Sequence, residues 1–332
     1  MATWIGWRWA SAAVLAIGLV GLFPAATSAQ APVPRVGLLF LAAPEADNSQ
    51  RAAGLREGMR ELGYLEGQSV AFEYRYAGGS PERLASLATD LVGSRVEVIV
   101  AVGYQAALAA KGVTQSIPIV MAPAGDPVTQ GLVTNLARPD GNVTGVALLG
   151  PEVRSKRLSL LKEMVPKLTR LAVVVNPGRP DLRELVRELE RVGARVGVRI
   201  EWVEIAGSEM LDALRRRVRT GQVQGIYTVE SPVIDGIAPQ IADIAREHRL
   251  PSVFPFKEAV EAGGLLSYSA SFTETQRRAA SYVHRLLKGA RPGDLPVEQV
   301  NRFELAVNLK TGRAIGLTVP RSILARADQV IE

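Results

Sequence analysis

Short apolar runs alternate along most of the chain with segments whose apolar residues recur every three or four positions. Residues 96–102 are apolar at every position except Glu97, which is typical of a strand covered on both faces of a parallel sheet. Residues 49–62 have the helical spacing and stop at Gly63. A first array of such segments ends near Leu148, and the pattern begins again at Pro151. Two successive arrays predict an α/β protein with two doubly wound parallel sheets.

The last sixty residues depart from this alternation. Ser271 followed by Glu274 is a capping box, which predicts a helix through Lys288. A loop with two prolines and two glycines follows at residues 289–296. A segment added after two complete arrays indicates that the chain crosses back between two lobes. Several crossings would form a hinge beside a cleft.

These patterns predict four segments. We expect a signal peptide, a first lobe that takes in the capping-box helix, a second lobe, and a C-terminal crossover segment whose lobe the sequence leaves open. Their predicted bounds are 1–29 for the signal peptide, 30–149 with about 271–290 for the first lobe, 150–270 for the second lobe and 291–332 for the crossover segment.

The signal peptide is predicted from its three-part pattern. Arg8 supplies a positive start, residues 10–23 are an uncharged apolar run, and small residues up to Ala29 follow Pro24. The apolar run is shorter than the roughly 20 residues that a membrane-spanning helix needs. We therefore expect cleavage near Ala29 and a periplasmic protein.

The composition of the chain excludes several kinds of catalytic and metal site. The 332 residues are 47% hydrophobic and include no cysteine, so thiolate metal sites and thiol nucleophiles are excluded. The two histidines, His248 and His284, are predicted to be structural, and no phosphate-binding or dinucleotide-binding glycine motif is present. The net charge of +6 comes from basic residues spread among acidic ones, which does not favour nucleic acid as a partner. We expect no catalytic residue, metal or cofactor.

Candidate ligand-binding residues follow the predicted strands, because ligands of open α/β sheets bind at the carboxyl ends of the strands. Gly103 permits a close backbone approach, and the N–H groups at the helix start after it could hold a carboxylate. Asp126 and Glu230 are the carboxylates available for an ammonium group, and Tyr104 and Phe256 supply rings. The full predicted set is Ala42, Ala43, Gly103, Tyr104, Gln105, Gly125, Asp126, Pro127, Asn176, Glu230, Ser231, Phe256 and Ser267.

Ordered motifs along nearly all of residues 30–332 resemble the solute-binding proteins of ABC transporters, specifically the family with tryptophan- and tyrosine-type binding proteins. The motifs that carry the resemblance are 56–64 (REGMRELGY), 73–75 (EYR), 125–128 (GDPV), 138–145 (RPDGNVTG), 174–177 (VVNP), 262–268 (AGGLLSY), 303–305 (FEL), 308–311 (NLKT) and 316–320 (GLTVP).

The resemblance implies a type I periplasmic binding fold, in which two lobes close around a small solute that is then delivered to an ABC permease. It implies no catalysis, and we expect a monomer. Two loops differ from the family pattern: Tyr104-Gln105 stands where relatives have small or hydroxyl residues, and Ser231 stands where relatives often have aspartate. The solute is therefore left open between an amino-acid-like compound and another small carboxylate or aromatic compound.

Two alternatives remain at this point. A sensory receptor of the same fold would present its solute to a membrane sensor. A two-lobed glycosyltransferase-like enzyme would need a sugar-nucleotide or metal motif, and the sequence contains neither.

Overall fold

The computed structural model describes Met1 and residues 33–41, 50–148, 150–179, 181–206, 210–300 and 302–332. The predicted signal peptide therefore lies outside the described residues, apart from Met1. Residues Val33–Glu332 form one compact unit that contains two sheets. Among the helices in these ranges, none is both long enough and apolar enough to cross a membrane.

Strands and helices alternate along the described residues. The strands are β1 Arg35–Phe40, β2 Ala71–Tyr76, β3 Val98–Val102, β4 Ile119–Ala124, β5 Val143–Leu148, β6 Arg170–Val175, β7 Arg199–Glu204, β8 Ile226–Thr228, β9 Ser252–Phe254, β10 Leu266–Ala270, β11 Glu298–Val300, β12 Phe303–Asn308 and β13 Gln329–Ile331. The helices are α1 Gln50–Glu61, α2 Arg83–Gly93, α3 Tyr104–Val113, α4 Pro151–Met164, α5 Leu182–Arg195, α6 Leu211–Arg219, α7 Pro232–Gly236, α8 Ala238–Glu247, α9 Lys257–Glu261, α10 Phe272–Leu287, α11 Leu309–Ala314 and α12 Arg321–Leu324.

The first sheet is parallel throughout and has the strand order β11-β5-β4-β3-β1-β2. It is covered on both faces, which explains why its two central strands β3 and β4 are apolar at every position. On β1, Val36 and Leu38 join the cluster formed with α1 and α10, whereas Leu39 joins the cluster formed with α2 and α3. This sheet and its helices α1–α3 and α10 are the first lobe.

Helix α10 begins at the predicted capping box, where the N–H of Glu274 donates to Oγ of Ser271 over 3.3 Å. It packs closely on α1, because a Cβ atom built on Gly58 would lie only 2.7 Å from Cβ of Ala280. Glycine in α1 thus lets the two helices approach one another.

The second sheet has the order β13-β12-β10-β9-β8-β6-β7 and, with helices α4–α9, α11 and α12, forms the second lobe. It is parallel except where β12 runs antiparallel to β10, with Phe303 opposite Ala270. The direction follows from the connection: β11 ends in the first sheet at Val300, so the chain enters the second sheet from the carboxyl ends of its parallel strands. The two sheets are thus parallel apart from the last two strands of the second.

The chain passes between the sheets three times, from β5 to α4, from β10 to α10 and from β11 to β12. Each of these connections leaves a sheet at the same end, where the candidate ligand-binding loops also lie. The crossings therefore border the cleft described next.

Candidate functional site

A cleft lies between the two lobes at the carboxyl ends of their parallel strands. It contains about 620 Å³ of space, including its open mouth. Its lining comes from both lobes and consists of Val102, Gly103, Tyr104, Gln105, Pro123, Gly125, Gln130, Leu148, Arg179, Glu230, Ser231, Pro232, Asp235, Phe256 and Phe272.

The start of α3 forms one wall of the cleft. Gly103 precedes the helix with φ of +90°, a conformation that favours glycine, and no side chain caps the first turn. The N–H groups at this helix start therefore have no side-chain acceptor in the part of the chain that the structure describes. Burial, with a smaller contribution from the negative charge of Asp181, raises the pKa of Tyr104.

Gln130 stands beside Gly125 on the same wall. The Gln130 side chain is 8% exposed, and its Oε1 atom is buried with no hydrogen-bond partner among the described residues. A buried acceptor without a donor costs free energy. A ligand that supplied an N–H or O–H group would remove this cost.

Beneath the opposite wall, Glu230 forms the centre of a buried ion-pair network. Its Oε1 accepts a hydrogen bond from Nη1 of Arg154 and its Oε2 accepts one from Nη2 of Arg157, each over 2.7 Å. Arg154 also pairs with Glu188 at 2.6 Å. The two arginine side chains are only 7% and 2% exposed, so both charges depend on these carboxylates.

The network sets the charge state of Glu230. Burial alone would raise the pKa of this carboxyl group, but the positive charges of Arg157, Arg154 and Arg179 outweigh burial and hold the pKa well below its ordinary value. Glu230 is therefore ionised, and both of its oxygens are occupied by arginine. The ammonium contact of Glu230 stays a prediction: the residue lines the cleft, but a ligand ammonium group would have to compete with two arginines for its oxygens.

Asp126 has a local role as well. Its Oδ1 accepts hydrogen bonds from the N–H groups of Val128 and Thr129, and its Oδ2 accepts one from Oγ1 of Thr129 at 2.8 Å. The side chain thus stabilises the turn after β4 and lies outside the lining of the cleft. The ammonium contact of Asp126 likewise stays a prediction, and this geometry gives it no support.

The other predicted site residues divide into three groups. Gly103, Tyr104, Gln105, Gly125, Ser231 and Phe256 line the cleft. Three others do not: Pro127 is buried in the turn, Ser267 is 1% exposed within β10, and Asn176 donates from Nδ2 to Oγ of Ser231 over 3.3 Å. Ala42 and Ala43 lie outside the described residues.

Arg179 is a cleft residue that sequence reasoning missed. Its Nε and Nη2 donate to the two carboxylate oxygens of Asp181 at 2.6 and 2.7 Å, and its Nη1 donates to the carbonyl oxygen of Glu230 at 2.9 Å. Arg179 follows β6, so the same end-of-strand rule could have identified it. Phe272, which follows β10, could have been found likewise, whereas Gln130 and Asp235 gave no sequence signal.

The two lobes touch each other beside the cleft. A Cβ atom built on Gly103 of the first lobe would lie 3.0 Å from Cγ of Pro232 in the second lobe. The next residue, Val233, belongs to the apolar cluster of the first lobe. The rings of Phe256 and Phe272 meet edge to face with centroids 5.5 Å apart. The structure thus has direct contacts between its lobes, as expected of a closed form.

The cleft offers rings, hydrogen-bond donors and a buried acceptor, a combination suited to binding a small molecule. Within the described ranges, no cluster of three or more histidine, cysteine, aspartate or glutamate residues could hold a metal ion.

Comparison with known proteins gives matches over most of the chain. The tyrosine-binding protein of Clostridioides difficile strain R20291 is 25% identical over 276 residues, which is 82% of this chain and 78% of that protein. A conserved domain protein of Vibrio cholerae has a solved structure with 27% identity and a TM-score of 0.83, covering 90% of this chain and 99% of that one. An ABC domain from Streptococcus pneumonia in complex with L-Trp has 24% identity and a TM-score of 0.82, with the same coverage.

The fold is accordingly that of type I periplasmic binding proteins, which confirms the predicted fold class. Residues 40–331 match the family described as ABC transporter substrate binding protein, in agreement with the resemblance seen in the motifs. The match spans both lobes and every described loop of the cleft. The chain therefore belongs to the family of ABC transporter substrate binding proteins.

Proposed function

We propose that this chain captures a small aromatic solute in the cleft between its lobes and delivers it to an ABC permease. The observation that carries the proposal is the composition of the cleft: both lobes line it, so a bound solute would bridge them. Family membership supports the transport role, whereas the alternatives of a sensory receptor and a glycosyltransferase-like enzyme are not favoured.

An aromatic solute suits the rings that line the cleft. Tyr104 stands on the α3 wall, and Phe256 and Phe272 contact each other where the lobes meet. Two similar proteins are described by the tyrosine and L-Trp that they bind, which supports a ring-bearing solute here. An amino-acid-like compound and another small aromatic carboxylate both satisfy these features.

The mechanism is a shift between open and closed forms. A solute held by both walls stabilises the closed form, and its effect on the equilibrium equals its difference in affinity for the two forms. The permease then distinguishes the closed, loaded protein from the open one. No step in this mechanism makes or breaks a covalent bond, so the chain acts as a binding protein and not as an enzyme.

The proposal includes the location of the protein. Residues 1–29 act as a signal peptide that is removed near Ala29, and the mature chain works as a monomer in the periplasm. The support is the three-part sequence pattern, together with the extracytoplasmic role typical of the family.

A thermal-shift screen of the mature chain tests the proposed function. The library contains amino acids, aromatic acids, amines and sugars. A solute present at a hundred times its dissociation constant should add about 2.7 kcal/mol to the free energy of unfolding. At least one aromatic compound is expected to raise the unfolding temperature in this way. A library without a single stabilising solute would contradict the proposal.

A further inference from the structure

Among the described residues, each acidic side chain around the cleft is engaged by another group. Glu230 accepts hydrogen bonds from Arg154 and Arg157, and both carboxylate oxygens of Asp181 accept hydrogen bonds from Arg179. Asp235, on α7, also has an interaction of its own. A ligand ammonium group entering this cleft would therefore have to compete for carboxylates that already have partners.

Arg179 has N–H groups that are not used by its hydrogen bonds within the protein. A guanidinium group carries five N–H groups, and three of those of Arg179 donate to Asp181 and to the Glu230 carbonyl. Two N–H groups are left without an acceptor among the described residues, and the side chain lines the cleft while being only 9% exposed. Although Asp181 already pairs with the charge of Arg179, the two remaining N–H groups still favour an acceptor, and a carboxylate matches the geometry of a guanidinium group.

Two features of the first lobe complement this arginine. The helix start at Gly103 directs uncapped N–H groups into the same cleft, and these also favour negative charge. Gln130 is 8% exposed, and its Oε1 atom has no hydrogen-bond partner in the described part of the chain. The wall thus offers donors for an acid group and one acceptor for a hydroxyl or N–H group.

We infer that the solute is an aromatic carboxylate that has no ammonium group and that carries a hydroxyl or N–H donor on its ring, and that Arg179 binds its carboxylate. The inference rests on the proposed function and names the solute class of the same cleft. Arg179 is a ligand-binding residue in this account, and Glu230 is a positioning residue, because its carbonyl oxygen holds Nη1 of Arg179.

Three probes that share one ring test the inference by calorimetric titration of the full mature chain. They are 3-(4-hydroxyphenyl)propanoate, L-tyrosine, which adds the ammonium group, and tyramine, which has the ammonium group and no carboxylate. The propanoate should bind at least tenfold more tightly than L-tyrosine, and tyramine should not bind. Equal or tighter binding of L-tyrosine, or any binding of tyramine in the same range, would overturn the inference.

The variant R179Q tests the assigned residue, with R199Q as the matched control. Arg199 is also an arginine of the second lobe in an ion pair, with Glu201, but it lies outside the cleft lining and is 78% exposed. R179Q should weaken the propanoate at least tenfold and leave the affinity for the uncharged probe 4-ethylphenol within threefold. R199Q should change neither affinity. An equal loss for both probes in R179Q would reduce Arg179 to a structural role and overturn the assignment.

Failure of this inference and failure of the proposed function give different results. If an amino acid stabilises the protein in the thermal-shift screen and the propanoate does not bind, the solute class is wrong and the proposed function stands. If no solute of the screen binds, the proposed function itself fails. A hit on any aromatic acid without an ammonium group, lost in R179Q and kept in R199Q, supports the inference.

Discussion

Replacing Glu230 with alanine is expected to lower the free energy of unfolding by about 3–5 kcal/mol, the loss typical of breaking a buried ion pair on one side. The side chains of Arg157 and Arg154 are only 2% and 7% exposed in the structure. Without Glu230, the buried Arg157 has no carboxylate partner among the described residues. Arg154 keeps Glu188. Urea denaturation followed by circular dichroism measures the change.

The matched control for this experiment is Glu163→Ala in the same lobe. Glu163 pairs with Arg326, but the two side chains are 36% and 42% exposed, so the expected loss is below about 1 kcal/mol. Similar losses in the two variants would show that the Glu230 network does not stabilise the fold.

The pH dependence of stability gives a further expectation. The wild-type protein should lose stability as the pH falls below about 4.3, the pKa of a glutamate in the unfolded chain, because the pKa of Glu230 is lowered in the folded protein. In E230Q this part of the acid sensitivity should be absent.

The second large effect is expected at the contact between the lobes. Gly103→Ala should weaken binding of the solute found in the screen at least tenfold. Its Cβ atom would stand 3.0 Å from Cγ of Pro232 in the closed form, which is tighter than ordinary contact. The closed form is therefore disfavoured, and the apparent affinity falls with the population of that form. Calorimetric titration gives the dissociation constants.

Backbone strain at Gly103 needs its own control, because alanine at φ of +90° is unfavourable in any setting. Gly131→Ala supplies it: Gly131 also belongs to the first lobe and has φ of +72°, but a Cβ atom built there has nothing within 4 Å. G131A should lose stability and keep its affinity. Equal affinities for G103A and G131A would show that the contact with Pro232 has no effect on closure.

Much of the fold could be predicted from the sequence because both sheets are covered on two faces. Strands such as β1 and β3 are then apolar at every described position except Arg35 and stand out from the amphipathic helices. The strands β11 (EQV) and β13 (QVI) contain only one and two apolar residues, which are too few to give such a signal. The antiparallel direction of β12 could not be predicted either, because it depends on the place where the chain leaves the first sheet.

The location of the candidate site was predictable, whereas the roles of its side chains were only partly so. The end-of-strand rule identified Gly103, Tyr104 and Ser231, which line the cleft. The sequence around Glu230 is the same whether its carboxylate is open to a ligand or held by arginine. Its partners Arg154 and Arg157 lie 76 and 73 positions earlier, so only the folded structure shows that they meet.

A solute bound between the lobes is expected to draw them together. Small-angle X-ray scattering of residues 30–332, free and saturated with the solute found in the screen, measures this change. The saturated sample should contain a one-to-one complex and have a smaller radius of gyration than the free protein. A saturated one-to-one complex whose scattering curve superimposes on that of the free protein would contradict closure around the solute.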